Sequence, residues 1–395
     1  MTIPTLAVAA LEADPHGVFR HHRPLTPVVA REGGGCIVLR AADVERLMHD
    51  TRVRQAETEL AQRQGVTDGA LLELFRLGML TSNGAEHRSR RAPFTRAFAT
   101  QVIAALRPAI RRGAEALVDG WGDEREVDLL ARFASPLPAE IISAMLGLPA
   151  EDIPGFTRLV YSVSRITGFT FAPDQLAAIE ADARALRDYV EALLDARRGA
   201  PADDFLSGLL CDAEARGALS AAEVVVQVVI LIIAGTDTTR VAMAAQVALL
   251  LQHRAQWEAV CADPALVRGA VAESLRFEPS VASVGRVTLE PVRLGDATIP
   301  AGQFLSLSTM SAMRDQAAHD RPDTFDIRRA ASRRPHAVFG GGAHRCLGEA
   351  LAWAELEEGL SVLLSRRPGL RLAGPAPGIR GHMGIRRIDA VPVAW

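Results

Sequence analysis

One stretch of the sequence, from Ala222 to Gln252, is apolar on every side of a helix for most of its length. It reads AEVVVQVVILIIAGTDTTRVAMAAQVALLLQ. A surface helix carries one apolar stripe, whereas a helix that is apolar all round is surrounded by protein or lipid. The continuous apolar run is too short for a membrane span, and Gln227 interrupts it. The sequence therefore predicts a buried core helix around which the rest of the chain folds.

The rest of the chain supplies the helices and the apolar material that such a core needs. Of the 395 residues, 49% are hydrophobic and 23% are charged. Helical spacing of apolar residues recurs over 104–121 and 175–199, while strand-like segments are short and lie at 34–40 and 283–308. No repeat or linker separates folding units. The pattern predicts a mainly α fold, a single large helical domain over 1–395 with small β-sheets.

Charge and cysteine usage exclude several classes of protein. The net charge of −3 provides no basic field for nucleic acid. The four cysteines, Cys36, Cys211, Cys261 and Cys346, lack the spacing of disulfide pairs or metal knuckles, which is typical of a reducing cytosol. The first residues have neither a basic leader nor an apolar stretch long enough for a span. We therefore expect a cytoplasmic protein without membrane or nucleic-acid partners.

A glycine-rich loop places one of these cysteines before a helix. The segment 339–360 reads FGGGAHRCLGEALAWAELEEGL, and its apolar residues from Leu347 onward recur at helical spacing. Cys346 should therefore lie at or just before the helix N-terminus, where free backbone N–H groups favour a thiolate. The glycines remove Cβ atoms, so the backbone can turn sharply and approach a flat group closely.

Several chemistries compete for this loop. Phosphate binding fits poorly because no hydrophobic strand precedes the glycines and no Gly-Lys-Ser/Thr ending follows them. A structural zinc site needs about three further ligands, and none is suitably spaced. The residues alone do not exclude that Cys346 is simply a buried, unreactive cysteine. A single thiolate as axial ligand of a haem iron fits the pattern best.

The loop resembles the haem-binding loop of the cytochromes P450, Phe-Gly-x-Gly-x-His-x-Cys-x-Gly. Every specified place is filled, by Phe339, Gly340, Gly342, His344, Cys346 and Gly348. The resemblance implies the cytochrome P450 fold and a haem b cofactor. It also implies that Cys346 is the ligand of the iron and that Phe339 and Gly340 lie against the haem.

The middle of the long apolar helix resembles the oxygen-activation motif of the same family. A carboxylate inside a buried helix costs several kcal/mol unless it is paired or faces a cavity. Here Ala234–Thr239 reads AGTDTT. The resemblance implies that Ala234 lies beside the haem, that Thr238 organises hydrogen bonds at bound dioxygen, and that Asp237 relays protons from solvent. Arg158 and Arg165, seven residues apart on one helix face, could each pair with Asp237, but a solvated surface charge is the favoured interpretation of each alone. Gly235 and the hydroxyls should widen the helix locally.

Two further sets of residues match family positions in order along the chain. Partners for the haem propionates are implied at His87, Arg91, Arg286 and His344. A structural ion network is implied at Glu273, Arg276 and Arg329; the first two are three residues apart and share a helix face.

The resemblance also implies a monooxygenase acting on a small apolar organic substrate. Electrons would come from NAD(P)H through a ferredoxin reductase and a ferredoxin-type partner, and the protein would be a monomer. The expected pocket walls are aliphatic: Leu80, Ile230, Ile233, Ala234, Val281, Val284, Met383 and Ile385. Terpenoid, aromatic, fatty-acid-like and macrolide substrates stay open.

Several basic residues near the cysteine side could dock an acidic redox partner, and two alternative functions stay possible. The basic residues expected to dock the redox partner are Arg88, Arg90, Arg111, Arg112, Arg333, Arg334 and Arg345. A peroxide-driven P450 usually has arginine and proline where Asp237 and Thr238 stand, so this pair argues against it. A haem-binding sensor would not need the pair at all.

Overall fold

The computed structural model describes residues 3–98, 100–168, 171–202, 204–217, 219–330 and 336–395. Its helices, α1 to α16, are Val8–Ala13, Pro15–His22, Ala41–His49, Glu59–Arg63, Gly69–Leu77, Gly84–Ala97, Thr100–Asp119, Pro136–Met145, Ile153–Ser164, Leu176–Gly199, Phe205–Arg216, Ala221–Gln252, Arg254–Ala262, Val267–Phe277, Thr309–Ala312 and Glu349–Arg366. Its strands, β1 to β13, are Thr5–Leu6, Val28–Arg31, Cys36–Val38, Val53–Gln55, Glu126–Asp128, Ser283–Thr288, Val292–Leu294, Ala297–Ile299, Phe304–Ser308, Arg371–Leu372, Ile379–Arg380, Arg387–Ile388 and Pro392–Ala394.

Helix α12 is the predicted core helix, and most of its side chains are buried. It begins with a capping box: the Glu223 N–H donates to Ser220 Oγ (3.2 Å), and the Ser220 N–H donates to the Glu223 carboxylate (3.0 Å). It packs against α5, α8, α9, α10, α14 and α16. Of the helices in the described residues, α12 is the one long and apolar enough to cross a membrane, and most of that stretch is buried inside the protein. The prediction of a buried core helix is confirmed.

The strands of the described residues form four small sheets. The largest has the order β1-β2-β3-β9-β6-β4 and combines the two segments predicted to be strand-like. In it, β3 pairs with β9 in parallel and β6 pairs with β9 antiparallel. The others are β10-β13-β5, β11-β12 and β7-β8. A mainly α fold with small sheets is therefore confirmed.

The long helical patterns are also confirmed, with shifts of a few residues at their ends. The segment 104–121 lies mostly in α7, which begins earlier at Thr100, and 175–199 is α10. Helix α16 packs along α7 and also contacts α12. The glycine-rich loop before α16 therefore lies close to the middle of α12, and this proximity creates the candidate site.

Candidate active site

A large cavity lies between α12, the glycine-rich loop and strand β6. Its volume, with the open mouth included, is about 1820 Å³. Most of the lining is aliphatic or aromatic, as expected for a site that binds its ligand by shape. The cavity brings together every predicted wall residue: Leu80, Ile230, Ile233, Ala234, Val281, Val284, Met383 and Ile385. Val281 and Ile385 are joined by a β-bridge, which fixes two walls from distant parts of the chain.

Cys346 lies on the surface of this cavity. Short 3₁₀ turns at Ala337–Phe339 and Gly342–His344 precede it, and α16 begins just beyond it at Glu349. The Cys346 N–H donates to the Phe339 carbonyl oxygen over 2.8 Å, which closes the loop. Phe339, Gly340 and His344 line the same cavity. One sulfur is thus presented to an apolar cavity from just before a helix N-terminus, close to the predicted position.

The loop glycines are required chiefly by contact with α3. Gly340 and Gly342 have φ values of 68° and 63°, a conformation that favours glycine. A Cβ atom on Gly342 would lie 2.5 Å from the carbonyl oxygen of Met48 in α3. Gly340 also lines the cavity. The glycines therefore hold the loop against α3, in addition to leaving room on the cavity side.

Two opposing effects act on the pKa of the Cys346 thiol. Removal from water raises the pKa of the Cys346 thiol to about 11, although the Gly348 N–H hydrogen bond acts in the opposite direction. Cys346 is nevertheless exposed toward the cavity, so the hydrogen bond at the helix N-terminus acts as predicted, and the opposing desolvation depends on what fills the cavity. A bound metal ion deprotonates a coordinating thiol outright. The site suits a sulfur that becomes a thiolate when it binds a metal.

Basic side chains form a cluster beside the cysteine loop. Arg91 lines the cavity and donates to the Arg345 carbonyl oxygen over 2.7 Å. Arg286 is 4% exposed and donates to Gln55 and to the Gly285 carbonyl oxygen. Within the described residues, neither guanidinium has a carboxylate within 4.0 Å. Arg286 is buried and Arg91 is half-buried. Positive charges removed from water without an anion are costly, so the cluster suits an acidic ligand.

The two histidines of this cluster lie side by side and both have lowered pKa values. The rings of His87 and His344 lie 4.0 Å apart, centroid to centroid. Burial, together with His87, Arg286 and Arg91, lowers the pKa of His344 to about 3. His87 Nε2 is buried and has no hydrogen-bond partner within the described residues. An orphaned ring nitrogen beside two unneutralised arginines fits the two carboxylates of a haem. His87 and Arg286 adjoin the cavity without lining it.

The hydroxyl groups in the middle of α12 bond back to their own helix. Thr236, Thr238 and Thr239 donate to carbonyl oxygens one turn earlier, over 2.8, 2.9 and 3.2 Å. The helix remains α-helical throughout, so the predicted local widening is absent. A Cβ atom on Gly235 would lie 2.9 Å from Ile142 in α8, so this glycine allows α8 to pack closely.

Of the predicted catalytic pair, only Thr238 lines the cavity; Asp237 does not. Asp237 forms an ion pair with Arg240, whose guanidinium lies 4.2 Å from the centre of the Tyr161 ring. Arg158 does not pair with Asp237: it is a surface residue, 66% exposed, and pairs with Asp182 over 3.0 Å.

The other candidate partner of Asp237, Arg165, hydrogen-bonds to Gln175. The i, i+3 spacing of Asp237 and Arg240 puts both on one helix face, a signal that the sequence did contain. This pairing places the carboxylate of Asp237 on the side of α12 away from the cavity lining.

Glu355 is a cavity residue that the sequence analysis missed. It lies on α16, is fully buried and lines the cavity. Desolvation raises the pKa of its carboxyl to about 8, with the Thr239 hydroxyl nearby acting against the shift. The available signal was a glutamate within the apolar stripe of α16, one turn after Leu351. At neutral pH the group is mainly protonated and can donate a hydrogen bond.

We expect a Glu355→Gln variant to change how stability depends on pH. The folded state holds a proton on Glu355 up to about pH 8, whereas the unfolded chain releases it near its ordinary pKa. Wild-type stability therefore falls with rising pH between these values, by up to about 1.4 kcal/mol per pH unit. The glutamine variant lacks this slope, so it gains stability relative to wild type as pH rises.

Urea denaturation at about pH 5.5 and about pH 7.5 measures this difference. Glu191→Gln, on the exposed surface of α10, should keep a constant difference from wild type. A constant difference for Glu355→Gln as well would contradict the prediction.

Glu273, Arg276 and Arg329 meet in a buried network behind the cysteine loop. The Glu273 carboxylate accepts from Arg276 over 2.7 and 2.8 Å, and from Arg329 Nε over 3.0 Å. It also accepts from the Asp326 N–H over 2.8 Å. Glu273 and Arg276 are 2% and 3% exposed. The network ties α14 to the irregular segment that leads toward the loop.

The arginines predicted to dock the redox partner differ in exposure and in their ion pairs. Arg90 is 6% exposed and pairs with Glu223 over 3.0 Å, so its place on a docking surface is wrong. Arg111 and Arg345 pair with Glu358 and Glu349, both over 2.7 Å. Arg88 and Arg112 are exposed, while Arg333 and Arg334 lie outside the described residues.

Comparison with known proteins agrees with this geometry. A family model described as Cytochrome P450 matches residues 52–366. The plant-inducible cytochrome P450-pinF1 of Rhizobium radiobacter is 42% identical, over 96% of this chain and 90% of that protein. Pentalenic acid synthase of Streptomyces avermitilis is 34% identical, over 95% and 92%. The solved structure of epothilone B-bound cytochrome P450epoK has a TM-score of 0.88 and 30% identity, over 98% and 97%.

Proposed function

This chain belongs to the cytochrome P450 family, and from that premise we propose that it hydroxylates a largely apolar small organic substrate with one oxygen atom of O2. The family makes it an oxidoreductase of the monooxygenase type, which uses a haem iron, O2 and a redox partner. One observation carries the proposal: a single cysteine sulfur and the Thr238 hydroxyl line the same apolar cavity.

Haem b is the proposed cofactor, and the residues around the cavity fit it. Cys346 would be its protein ligand, and Phe339, Gly340 and Ala234 would lie against the macrocycle. The propionates would be held by the cation cluster, which consists of His87, Arg91, Arg286 and His344. When bound, the haem supplies the activation of O2 and the transfer of one oxygen atom to the substrate.

Thr238 and Asp237 are proposed to handle protons. The Thr238 hydroxyl lines the cavity and donates its hydrogen to the Ala234 carbonyl oxygen over 2.9 Å, so its lone pairs can accept a hydrogen bond from a proton donor in the cavity. To pass a proton on, the hydroxyl would rotate away from Ala234, release its own hydrogen into the cavity and take up the donor's. Asp237 pairs with Arg240, whose side chain is 22% exposed, so the carboxylate has a route toward solvent. To deliver a proton toward Thr238, the carboxylate would have to leave Arg240 and turn toward the cavity, because the pairing holds it on the other side of α12.

Electron delivery and cellular setting follow from the same proposal. NAD(P)H would supply electrons through a ferredoxin reductase and a ferredoxin-type partner. Exposed Arg88 and Arg112 offer positive charge for an acidic partner. The whole chain 1–395 would act as one domain, as a cytoplasmic monomer. One relative is named pentalenic acid synthase, and one similar structure is an epothilone B-bound enzyme, so the relatives handle different compounds. Terpenoid, aromatic, fatty-acid-like and macrolide substrates are therefore all candidates.

The test is turnover of the haem-loaded protein with isotopically labelled dioxygen. A compound library is first screened for ligands that shift the spin state of the haem absorption. Ligands that bind are then incubated with NADPH, a ferredoxin and its reductase. The product should carry one labelled oxygen atom. Turnover with hydrogen peroxide alone at the same rate would favour the peroxide-driven alternative instead, and binding without any turnover would favour a sensor.

We expect Thr238→Ala to uncouple electron consumption from product. Without the hydroxyl, the cavity loses the group proposed to pass protons, so NADPH oxidation continues while hydrogen peroxide replaces product. Product formed per NADPH should fall about 10-fold, equivalent to ~1.4 kcal/mol. Peroxide and product are quantified in the same reaction.

Thr236→Ala provides the matched control for this variant. Thr236 makes the same back-bond in the same helix, to the Ile232 carbonyl oxygen over 2.8 Å, but it does not line the cavity. Its coupling should stay within about twofold of wild type. Equal coupling in Thr238→Ala and Thr236→Ala would refute the proton role of Thr238.

A further inference from the structure

A second, smaller pocket adjoins the cavity near the β2–β3 turn. Its volume is about 700 Å³, with the open mouth included. We call it the side pocket; its lining includes Arg31, the turn residues Gly33–Gly35 and Arg63. Leu60, Phe304 and Met383 line both the side pocket and the cavity. These three apolar side chains, which we call the neck, lie between the side pocket and the cavity, so a molecule that spans both has to pass among them.

Two arginines give the side pocket its charge. Arg63 is exposed, and its guanidinium lies 5.2 Å from the centre of the Phe304 ring in the neck. Arg31 is partly buried at the end of β2. Within the described residues, neither guanidinium has a carboxylate within 4.0 Å. Burial lowers the pKa of Arg31; the Glu12 charge acts against this shift, the Arg63 charge adds to it, and the Glu32 charge again opposes it.

The acidic residues nearest to Arg31 are engaged elsewhere. The Glu32 carboxylate accepts from the Val8 N–H over 3.1 Å. Glu12 lies 2.8 Å from His382 Nδ1, and Arg31 Nε donates to the other ring nitrogen of His382 over 3.3 Å. This chain of contacts orients Arg31 and offsets part of its charge. Arg31 Nη1 also donates to the Glu32 carbonyl oxygen over 3.2 Å. These contacts place no acid against either guanidinium, so an anion from outside can bind at Arg63 and at Arg31 Nη2.

The turn between β2 and β3 leaves space around both guanidiniums. Gly33, Gly34 and Gly35 all have positive φ, at 80°, 101° and 86°. A Cβ atom on Gly33 would lie 3.6 Å from Arg31 Nη1, and one on Gly34 would lie 3.7 Å from Arg63 Nη1. Longer side chains at these positions would crowd the charged groups. The glycines thus permit the positive φ values of this turn and leave space for a ligand beside the two guanidiniums.

We propose that the side pocket binds the carboxylate of an amphipathic substrate whose apolar body passes the neck into the cavity. This inference rests on the proposed function and narrows its substrate class to apolar carboxylic acids. Paired guanidiniums recognise a carboxylate through charge-assisted hydrogen bonds, which are about twice as strong as neutral ones. The apolar neck and cavity bury the remainder of the molecule, so head and body are recognised by different surfaces.

The experiment compares two probes that differ only in their head group. Dodecanoic acid and dodecan-1-ol are titrated into haem-loaded protein, and binding is measured by calorimetry. Wild type should bind the acid at least about 10-fold more tightly than the alcohol. The double variant Arg31→Gln/Arg63→Gln should lose about 10- to 100-fold in affinity for the acid. Its affinity for the alcohol should stay within about twofold.

Arg371→Gln is the control for the loss of positive charge. Arg371 is exposed and belongs to a different sheet, so its variant should bind both probes as wild type does. An acid preference below about 10-fold in wild type, including no measurable binding of the acid, overturns the inference. So does an equal loss for both probes in the double variant, since that reports damage to the neck.

The reduced carbon-monoxide spectrum of each protein separates this inference from the proposed function. A normal thiolate-type spectrum without acid preference refutes only the carboxylate site. A preparation that cannot hold haem refutes the proposed function itself, whatever its affinity for dodecanoic acid.

Discussion

A Cys346→Ser variant loses the red-shifted absorption band that marks thiolate ligation in the reduced carbon-monoxide complex. Serine nearly matches cysteine in size, and the loop is held by backbone contacts such as the Cys346 N–H to Phe339 carbonyl bond of 2.8 Å. The loop should therefore keep its shape while its ligand atom changes from a soft sulfur to an oxygen that resists deprotonation. Monooxygenase turnover should fall by at least about 1,000-fold, equivalent to ~4 kcal/mol.

Cys211→Ser is the matched control. Cys211 lies exposed on α11, outside the cavity lining. The same change of sulfur to oxygen there should leave the spectrum and the turnover unchanged. Absorption spectroscopy of equal amounts of haem-loaded protein measures the first effect, and product formation measures the second. A red-shifted band that survives in Cys346→Ser would show that another residue supplies the sulfur or that the band has another origin.

The features that the sequence predicted well are those encoded within a few consecutive residues. The loop from Phe339 to Gly348 specifies its own turns and the start of α16, so the position of Cys346 could be read directly. The core helix was readable because its apolar composition leaves few alternatives to burial. The predicted wall residues line the cavity because they were chosen by their positions relative to these motifs. Their contact with the substrate stays a prediction.

The features that the sequence did not predict depend on which distant side chains meet. Arg90 and Arg88 are neighbours in sequence, but α6 turns only Arg90 inward to Glu223. The need for glycine at Gly342 comes from Met48, which is remote in sequence. None of these partners is visible in a local pattern.

The charge partner of Asp237 was also not predictable, because several arginines could reach it. Asp237 had arginines available on its own helix and on α9, and a single sequence gives no distance between helices. The local i, i+3 partner Arg240 was the one that required no tertiary contact. Glu355 was missed for a related reason: its apolar neighbours indicated a buried face of α16, but a buried carboxyl had no predicted role.

We expect Glu273→Gln to destabilise the folded protein by about 3–5 kcal/mol. The carboxylate of Glu273 compensates Arg276 and Arg329, with nitrogen to oxygen distances of 2.7 and 3.0 Å. Glutamine keeps the shape but removes the charge and turns an NH2 group toward one of the guanidiniums. Removing one partner of a buried network leaves charge uncompensated, which is the costly case. The remaining Arg276 contacts, to the Met313 and Pro322 carbonyl oxygens, cannot neutralise it.

Urea denaturation of the haem-loaded protein, followed by circular dichroism and by haem absorption, measures this loss. Glu258→Gln is the control, because Glu258 pairs with Arg254 over 2.8 Å with side chains 62% and 43% exposed. Water screens that pair, so its loss should cost less than about 0.5 kcal/mol. Equal losses for the two variants would mean that hydrogen bonds of the neutral amide suffice in the network. The negative charge of Glu273 would then not be what holds α14 to the segment before the cysteine loop.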